Sequence, residues 1–181
     1  MAEQALKLIT VDEFLLWNDD DTDTRHELAD GVIRTMSPPS GPHSAIVANA
    51  IVALHAALRD RQPCRPLAEA GVRIDEHTMW QADVAVTCKP IARETHDPVL
   101  VVEVLSPTTR THDLGRKLID YKSLPSVLEI WMVDSERRWA QVWRRDGEGW
   151  IGQDFVGTAH LDSAVLQGLV RLDDLYANSG V

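Results

Sequence analysis

The stretch Pro98-Val-Leu-Val-Val-Glu103-Val-Leu-Ser-Pro107 decides the fold of this sequence. Its aliphatic residues, bounded by prolines, have the length and branched composition of a strand that is covered on both faces of a sheet. One carboxylate, Glu103, interrupts the run near its end. Because an isolated buried carboxylate costs several kcal/mol, Glu103 must be paired, protonated or bound to a cation.

The segments on either side of this strand predict a mixed sheet flanked by helices. Apolar runs predict further strands over residues 65–68, 72–74, 79–88, 127–133, 139–145 and 150–156, the last three as an antiparallel meander. Asp30-Gly31 between two short apolar segments predicts a hairpin. Capping signals and apolar spacing predict helices after Thr10, over 43–61, over 113–123 and at the end of the chain near residue 176.

Length and composition favour one soluble domain. The chain has 181 residues, no apolar stretch long enough to span a membrane, and an N-terminus unlike a signal peptide, so we expect a cytoplasmic protein. Cys64 and Cys88 belong to no Cys-x-x-Cys pair and are predicted to be buried free thiols. The acidic run over residues 18–23 is predicted to be a solvated turn. The fold expected is α/β (α+β), with residues 1–181 in one domain.

The formal charge of −10 bears on the choice of partner. A negative field repels a phosphate backbone, so this charge counts against nucleic acid without excluding a local basic patch. Basic residues do recur near the proposed site, at Arg110, Arg116, Lys117 and Lys122. They can form such a patch, or they can pair with the surplus carboxylates, which is the default for each residue taken singly.

A second carboxylate, Asp83, lies on the strand that precedes Glu103. If the two strands pair antiparallel with the midpoint of the connecting loop near Arg93, Asp83 lies opposite Glu103 with Cβ atoms roughly 5 Å apart. Two carboxylates so close repel each other, and Mg²⁺ or Mn²⁺ bound to their oxygens would resolve the conflict. The alternative is two polar residues at strand ends that meet water or an arginine.

The predicted helix over 113–123 adds an ammonium group to these carboxylates. Asp113, Lys117 and Tyr121 are four residues apart and share one helix face. Beside a metal site, Lys117 could orient a water molecule or stabilise charge on a phosphate. The alternative is an ordinary helical ion pair between Asp113 and Lys117, worth about 0.2–0.5 kcal/mol.

Several motifs together resemble a known family. They are Arg25-His-Glu27-Leu-Ala-Asp-Gly31, Ala82-Asp83-Val, Val101-Val-Glu103-Val-Leu-Ser-Pro107, Asp113-x-x-x-Lys117-x-x-x-Tyr121 and Glu129-Ile-Trp-Met-Val-Asp134. This pattern is similar to the Uma-type family of restriction endonucleases in the PD-(D/E)XK nuclease superfamily. The resemblance covers nearly the whole chain, with its core motif over about residues 79–134.

The resemblance implies a restriction-endonuclease-like fold and a Mg²⁺- or Mn²⁺-dependent DNA endonuclease. Asp83 and Glu103 would bind the metal and Lys117 would be the catalytic lysine. Glu27 would be an auxiliary acidic residue of the same site. The resemblance also assigns supporting positions, at Asp113, Tyr121 and His43. For His43, capping of the first long helix is as consistent with the pattern as a catalytic role.

Two positions depart from the superfamily pattern. Ala82 stands where proline precedes the first aspartate, and Leu105 stands where a lysine follows the glutamate by two residues. The Uma-type family draws its lysine from the following helix, which makes Lys117 the residue on which the nuclease hypothesis depends. The alternative function is a non-catalytic binding or assembly module on a nuclease-like fold. A homodimer is expected if both DNA strands are cut.

Overall fold

The computed structural model describes residues 8–17, 24–95, 97–107, 110 and 113–181, with only the backbone described at Asp113. The strands are β1 (His26–Ala29), β2 (Val32–Thr35), β3 (Arg65–Arg73), β4 (Met79–Thr87), β5 (Pro98–Leu105), β6 (Glu129–Asp134), β7 (Trp139–Asp146), β8 (Gly149–Val156), β9 (His160–Ser163) and β10 (Gly168–Arg171). The α-helices are α1 (Val11–Leu16), α2 (Gly41–Ala57), α3 (Leu118–Ser123) and α4 (Leu172–Leu175), and a π-helical turn (Asp113–Lys117) leads directly into α3. The acidic run over 18–23 lies outside the described residues.

The main sheet is mixed, as predicted. Its strand order is β2-β1-β4-β5-β6-β7-β8, and β3 pairs with β4 off this path. Strands β5 and β6 pair in parallel, whereas β6, β7 and β8 form the predicted antiparallel meander. Strands β9 and β10 form a separate two-stranded sheet. The predicted mixed sheet flanked by helices is therefore confirmed.

The pairing of β4 creates a gap in the sheet. Strand β3 pairs with β4 from Met79 to Thr87 along one edge. On the opposite edge, β1 pairs only at Met79, and β5 pairs only from Val84 onward. Neither strand pairs with residues 80–83 on that edge. Strands β1 and β5 thus diverge there and leave room for side chains between them.

Two apolar layers cover the faces of the sheet. On one face, α2 contributes Ile46, Ala50 and Leu54 to a core that also contains Trp131 of β6. On the other face, α3 contributes Leu118 and Tyr121, which join a cluster containing Trp80 and Val101. The two helices thereby bring polar residues from their first turns to the same end of the sheet.

The structure corrects three local predictions. Strand β3 is continuous from Arg65 to Arg73, although it was predicted as two strands; Glu69 in its middle has a φ of 49°, which absorbs the irregularity. The first long helix ends at Ala57 and not near residue 61. The helix predicted over 113–123 begins with a π-helical turn before the α-helical part.

The prediction of two buried free thiols was wrong, because Cys64 and Cys88 form a disulfide and both are half-buried. The physical reason lies in the strand register. Arg65 pairs with Thr87, so the residues just outside this pair face each other at the end of the hairpin. In the described part of the chain, no helix is long and apolar enough to cross a membrane.

Candidate active site

The gap between β1 and β5 opens into a cavity of about 530 Å³. Five residues from the predicted site line it: Glu27, His43, Asp83, Glu103 and Lys117. They come from β1, α2, β4, β5 and the π-helical turn respectively. The fold thus brings together side chains of the predicted site that are up to 90 residues apart in the chain.

Lys117 lies between two glutamates. Its Nζ is 2.6 Å from Glu27 Oε1 and 3.4 Å from Glu103 Oε1. The Tyr121 hydroxyl, one helical turn further on, donates a hydrogen bond of 2.6 Å to the same Glu103 oxygen. The predicted alignment of Lys117 and Tyr121 on one helix face therefore delivers both groups to Glu103.

This group of side chains is almost completely buried. The exposed fractions of Glu27, Glu103 and Lys117 are 6%, 2% and 3%, and Tyr121 is fully buried. Two carboxylates with one ammonium leave a formal excess of negative charge in an apolar setting. Breaking a buried pair of this kind costs more than the pair contributes, because it leaves an uncompensated charge. Removing either Lys117 or its glutamate partners would therefore leave a buried charge uncompensated and destabilise the fold.

Side chains of the site replace the missing strand pairing along β4. The Gln81 amide N–H donates a hydrogen bond of 3.0 Å to Glu27 Oε1, and Lys117 Nζ donates one of 3.3 Å to the Gln81 carbonyl. On the β5 side, the Val104 N–H donates a hydrogen bond of 2.7 Å to Asp83 Oδ2. Backbone groups that would be orphaned by the gap are satisfied in this way.

Asp83 reaches the cavity from the other face of the sheet. Its Oδ2 lies 3.3 Å from His43 Nε2 in the first turn of α2. The register of β4 with β5 is the one predicted, since the pairs Val84–Val102 and Ala85–Val101 centre on residue 93. Continuing it by one residue sets Asp83 opposite Glu103. Even so, Asp83 contacts His43 of α2 and the Val104 N–H of β5, whereas Glu103 contacts Tyr121 of α3 and Lys117 of the turn before it.

An irregularity in β4 explains this difference. Before Asp83, Trp80 and Ala82 belong to the apolar layer under α3; after it, Ala85 does. Regular strands alternate their side chains between faces, so residues 82 and 85 can share a face only if the alternation slips between them. Glu69, with its positive φ, stands on β3 at the same level. This slip turns Asp83 away from the face that strict alternation predicts.

The remaining predicted residues are placed as follows. His43 is the third residue of α2, and its N–H is capped by the Ser40 hydroxyl at 3.3 Å, so Ser40 and not His43 is the N-cap. The prediction for the Asp113 side chain lies outside the described residues. Within the described ranges, no group of three or more His, Cys, Asp or Glu side chains is arranged to hold a metal ion.

Most of the basic residues near the site are paired with carboxylates or backbone carbonyls. Arg110 and Arg137 both bind Asp134, whose burial opposes ionisation but whose pKa is lowered by those hydrogen bonds and by the Glu136 N–H. Arg116 binds Asp30 and Asp120, and the hydrogen bond from Arg116 lowers the pKa of Asp30. The surplus carboxylates therefore neutralise this part of the surface.

Two contacts of the site were not predicted. The pairing of His43 with Asp83 joins α2 to β4, which lie far apart in the chain, and no local spacing signals it. The ion pair of Glu27 with Lys117 was represented only by the assignment of Glu27 to the same site. Both contacts form at the gap in the sheet, and no periodicity in the sequence predicts that gap.

Known proteins resemble this chain over most of its length. It is 26% identical over 176 residues to an uncharacterized protein of Synechocystis sp., covering 93% of this chain and 91% of that protein. The crystal structure of a "putative nuclease belonging to DUF820" from Anabaena variabilis superposes with a TM-score of 0.76 at 21% identity, covering 93% of this chain and 98% of that one. This second likeness shows the fold.

A comparison with protein families identifies the family of this chain. The Uma2 family, described as "Putative restriction endonuclease", matches residues 11–174. That span contains every residue of the cavity discussed above. The chain therefore belongs to the Uma2 family, as the resemblance of its motifs implies.

Proposed function

We propose that this protein is a Mg²⁺- or Mn²⁺-dependent DNA endonuclease that hydrolyses phosphodiester bonds. One observation carries the proposal: Asp83, Glu103 and Lys117 line a single open cavity at the gap in the sheet. Two carboxylates and an ammonium are the groups needed for metal-assisted attack of water on a phosphate. The family assignment supports the same chemistry.

The donor set suits a hard divalent cation. Carboxylate oxygens are the ligands that Mg²⁺ prefers, and this ion keeps several water molecules when it binds. Asp83 Oδ1 makes no hydrogen bond or ion pair with any described residue, so one ligand oxygen is available. A bound cation would supply Lewis acidity that activates water and polarises the scissile phosphate.

The side chains around Glu103 have complementary roles in this proposal. Lys117 stabilises negative charge that develops on the phosphate oxygens as water attacks. Glu27 fixes the position of the Lys117 ammonium, and Tyr121 fixes that of the Glu103 carboxylate. The reaction needs no covalent intermediate with the protein.

Arg34 is the group best placed to bind a backbone phosphate of the substrate. Three cationic side chains of the described chain line the cavity: Arg25, which pairs with Glu69; Lys117, which pairs with Glu27; and Arg34. Among the described residues, no carboxylate forms an ion pair with Arg34. It is exposed on β2, directly opposite Glu27 of β1. Its guanidinium, whose charge also acts on Asp30, can therefore attract phosphate within an acidic surface.

The test is a cleavage assay on supercoiled plasmid and on single-stranded DNA, with Mg²⁺, Mn²⁺ or EDTA. We expect cleavage with either metal and none with EDTA. Glu103→Ala should lower the rate by about 10³-fold, because it removes one of the two carboxylates that would hold the cation at the reacting phosphate. Glu148→Ala, which removes an exposed carboxylate in the β7–β8 turn, is the matched control and should cleave normally.

The same assay separates the proposed enzyme from its alternative. The net charge of −10 favours a non-catalytic binding or assembly module. Tight DNA or protein binding without cleavage by the wild type, in either metal, would establish that module and reject the endonuclease. Cleavage that survives Glu103→Ala would reject the site. As part of the proposal, we expect the enzyme to act in the cytoplasm and as a homodimer.

A further inference from the structure

Two consecutive residues of the π-helical turn contact the hairpin formed by β1 and β2. Lys117 Nζ lies 2.6 Å from Glu27 Oε1 on β1. Arg116 donates two hydrogen bonds, of 2.9 and 3.1 Å, to the two carboxylate oxygens of Asp30 in the hairpin turn. Glu27 and Asp30 belong to the same short hairpin, so the contact at Arg116 constrains the contact at Lys117.

The same guanidinium is anchored to the buried layer under α3. Arg116 Nε donates a hydrogen bond of 2.8 Å to Asp120 Oδ2, which also accepts one of 2.9 Å from the indole N–H of Trp80. Trp80 and Asp120 are both buried. A guanidinium presents its donors in a rigid planar fork, so it fixes an angle as well as a distance. Arg116 therefore joins a fixed carboxylate on α3 to the carboxylate of the hairpin turn.

The strand ladder supports this hairpin weakly. Strand β1 pairs with β4 only through Leu28 and Met79, and β2 pairs with β1 at the edge of the sheet. The Gly31 N–H donates a hydrogen bond of 2.7 Å to the His77 carbonyl, and the Gly31 carbonyl accepts one of 3.0 Å from the Ile9 N–H. These bonds hold the turn to the segments before β4 and α1. They do not set the distance from the hairpin to the π-helical turn across the gap.

The contribution of the Arg116–Asp30 pair is geometric more than energetic. The two side chains are 43% and 61% exposed, and ion pairs that are open to solvent in this way contribute little to stability. The hairpin that they hold nevertheless carries two groups of the cavity, Glu27 and Arg34. A small displacement of the hairpin would separate Glu27 from Lys117.

We propose that Arg116 is a positioning residue that joins Asp30 to Asp120 and so holds the hairpin where Glu27 contacts Lys117. Its effect on catalysis rests on the proposed endonuclease function, in which Lys117 stabilises charge on the phosphate. Arg116 acts on the reaction only through Glu27 and Lys117. Loss of the link leaves the Lys117 ammonium without a fixed place.

Two substitutions cut this link from opposite sides. Arg116→Gln removes the guanidinium, and Asp30→Asn removes the carboxylate of the turn. Asp30 has a φ of 49°, which asparagine also adopts, so the turn itself is retained. Arg171→Gln is the matched control, because Arg171 also forks onto one exposed aspartate, Asp174, but lies in the separate two-stranded sheet.

The first experiment needs neither metal nor activity. An amine-reactive acetylating reagent is added to the full-length protein, and mass spectrometry follows the modification of Lys117 and of Lys122, which is partly exposed on α3. We expect Arg116→Gln and Asp30→Asn to quicken modification of Lys117 by about tenfold or more, and that of Lys122 by less than about twofold. The Arg171→Gln protein should match the wild type at both lysines.

The pair of lysines separates movement of the hairpin from loosening of the helix. Unchanged modification of Lys117 in both variants would overturn the positioning role. Equal increases at Lys117 and Lys122 would also overturn it, because the helix as a whole would then have loosened.

The second experiment measures kcat and KM for DNA cleavage on matched amounts of folded protein. Arg116→Gln removes a positive charge and Asp30→Asn a negative one, so their direct effects on DNA attraction, and hence on KM, have opposite signs. Loss of position instead lowers kcat in both variants, by about tenfold. An unchanged kcat, or changes of kcat in opposite directions, would overturn the positioning role.

A double variant tests the route through Glu27. In a Glu27→Gln background, Arg116→Gln should change kcat by less than about twofold, because the group through which it acts is already lost. A further tenfold loss would overturn that route. A wild type that cleaves no DNA would overturn the endonuclease proposal and the effect of Arg116 on catalysis, whereas selective modification of Lys117 would still establish that Arg116 holds the hairpin.

Discussion

Two buried glutamates on neighbouring strands have opposite surroundings. Glu103 of β5 and Glu129 of β6 both interrupt aliphatic runs and are both at most 2% exposed. Glu103 faces the layer under α3 and meets Lys117 and Tyr121 at the cavity. Glu129 faces the layer under α2 and meets an indole N–H and a hydroxyl, those of Trp131 and Ser163, at 2.9 and 2.8 Å.

The difference shows how a protein keeps a buried carboxylate for structure or for chemistry. Glu129 is surrounded mainly by neutral donors, and burial raises its pKa. Arg144, the nearest cation, lies 3.8 Å away and is partly exposed. Glu103 shares its cavity with a second carboxylate and a buried ammonium. A cavity and a like-charged neighbour, and not burial alone, distinguish Glu103, the carboxylate proposed for catalysis, from Glu129.

The largest difference is expected between the glutamine variants of the two glutamates, Glu103→Gln and Glu129→Gln. Glu103→Gln should lower the rate of DNA cleavage by about 10²–10³-fold, because a neutral amide is a poorer ligand than a carboxylate for the cation that would stabilise charge on the phosphate. Glu129→Gln, which removes a carboxylate of equal burial outside the cavity, should leave the rate within about twofold. Cleavage assays on matched amounts of folded protein measure both rates. Similar losses in the two variants would remove the distinction between the glutamates.

The second comparison is between the cations near the two glutamates, Lys117 beside Glu103 and Arg144 near Glu129. Lys117→Met should lower the free energy of unfolding by about 3 kcal/mol, because Glu27 and Glu103 remain buried without their partner. Arg144→Met should cost about 1 kcal/mol or less, since the partly exposed guanidinium is distant from Glu129. Urea denaturation of both variants at neutral pH measures the two values. Equal costs would mean that Lys117 is not the charge that compensates the glutamates.

The hydroxyl donors provide a smaller and more selective test. Tyr121→Phe and Ser163→Ala each remove a hydrogen bond to a buried carboxylate, and each should destabilise the fold by about 1.5–3 kcal/mol. Only Tyr121→Phe should slow cleavage, by about tenfold, because Tyr121 orients Glu103 and Ser163 does not. The paired measurement is urea denaturation and cleavage rate. A slower Ser163→Ala enzyme would contradict the assignment of Glu129 to structure.

The smallest effect is a pH dependence of stability due to Glu129. Its pKa in the folded state is raised above the ordinary value of 4.5, so the folded state binds its proton more tightly than the unfolded state does. The associated stabilisation is present below pH 4.5 and is lost as the pH rises through the raised pKa. The free energy of unfolding of the wild type should therefore fall, relative to Glu129→Gln, as the pH rises from about 4.5. Parallel curves in urea denaturation across this range would contradict the prediction.

The sequence predicted the parts of the site that follow from local periodicity. The register of β4 and β5 follows from the length of their connection, and the shared face of Lys117 and Tyr121 follows from helical spacing. The sequence analysis applied the argument that a lone buried carboxylate needs a partner to Glu103 alone, although it holds for Glu129 as well. The register with Asp83 and the family resemblance singled out Glu103, whereas the cavity itself is formed by strands that are far apart in the chain.

What the sequence did not predict depends on departures from regular geometry. The slip in alternation at Asp83 cannot be derived from a strand pattern that assumes strict alternation. It turns Asp83 toward His43 and makes the helix-capping interpretation of His43 incomplete. The disulfide of Cys64 and Cys88 could have been predicted, because the register of the β3–β4 hairpin sets these residues opposite each other. Treating β3 as two strands concealed that register.

The side chains that complete the sheet along β4 make the backbone a reporter of the site. The amide protons of Gln81 and Val104 are held by the carboxylates of Glu27 and Asp83, and not by a neighbouring strand. Their hydrogen-exchange rates therefore measure how often these carboxylates leave their places. When the site opens locally, hydrogen exchange should become faster at the amides of Gln81 and Val104. The amides of β4 that pair with β3 should stay protected under the same conditions. Opening of the site is thus separable, residue by residue, from unfolding of the sheet that carries it.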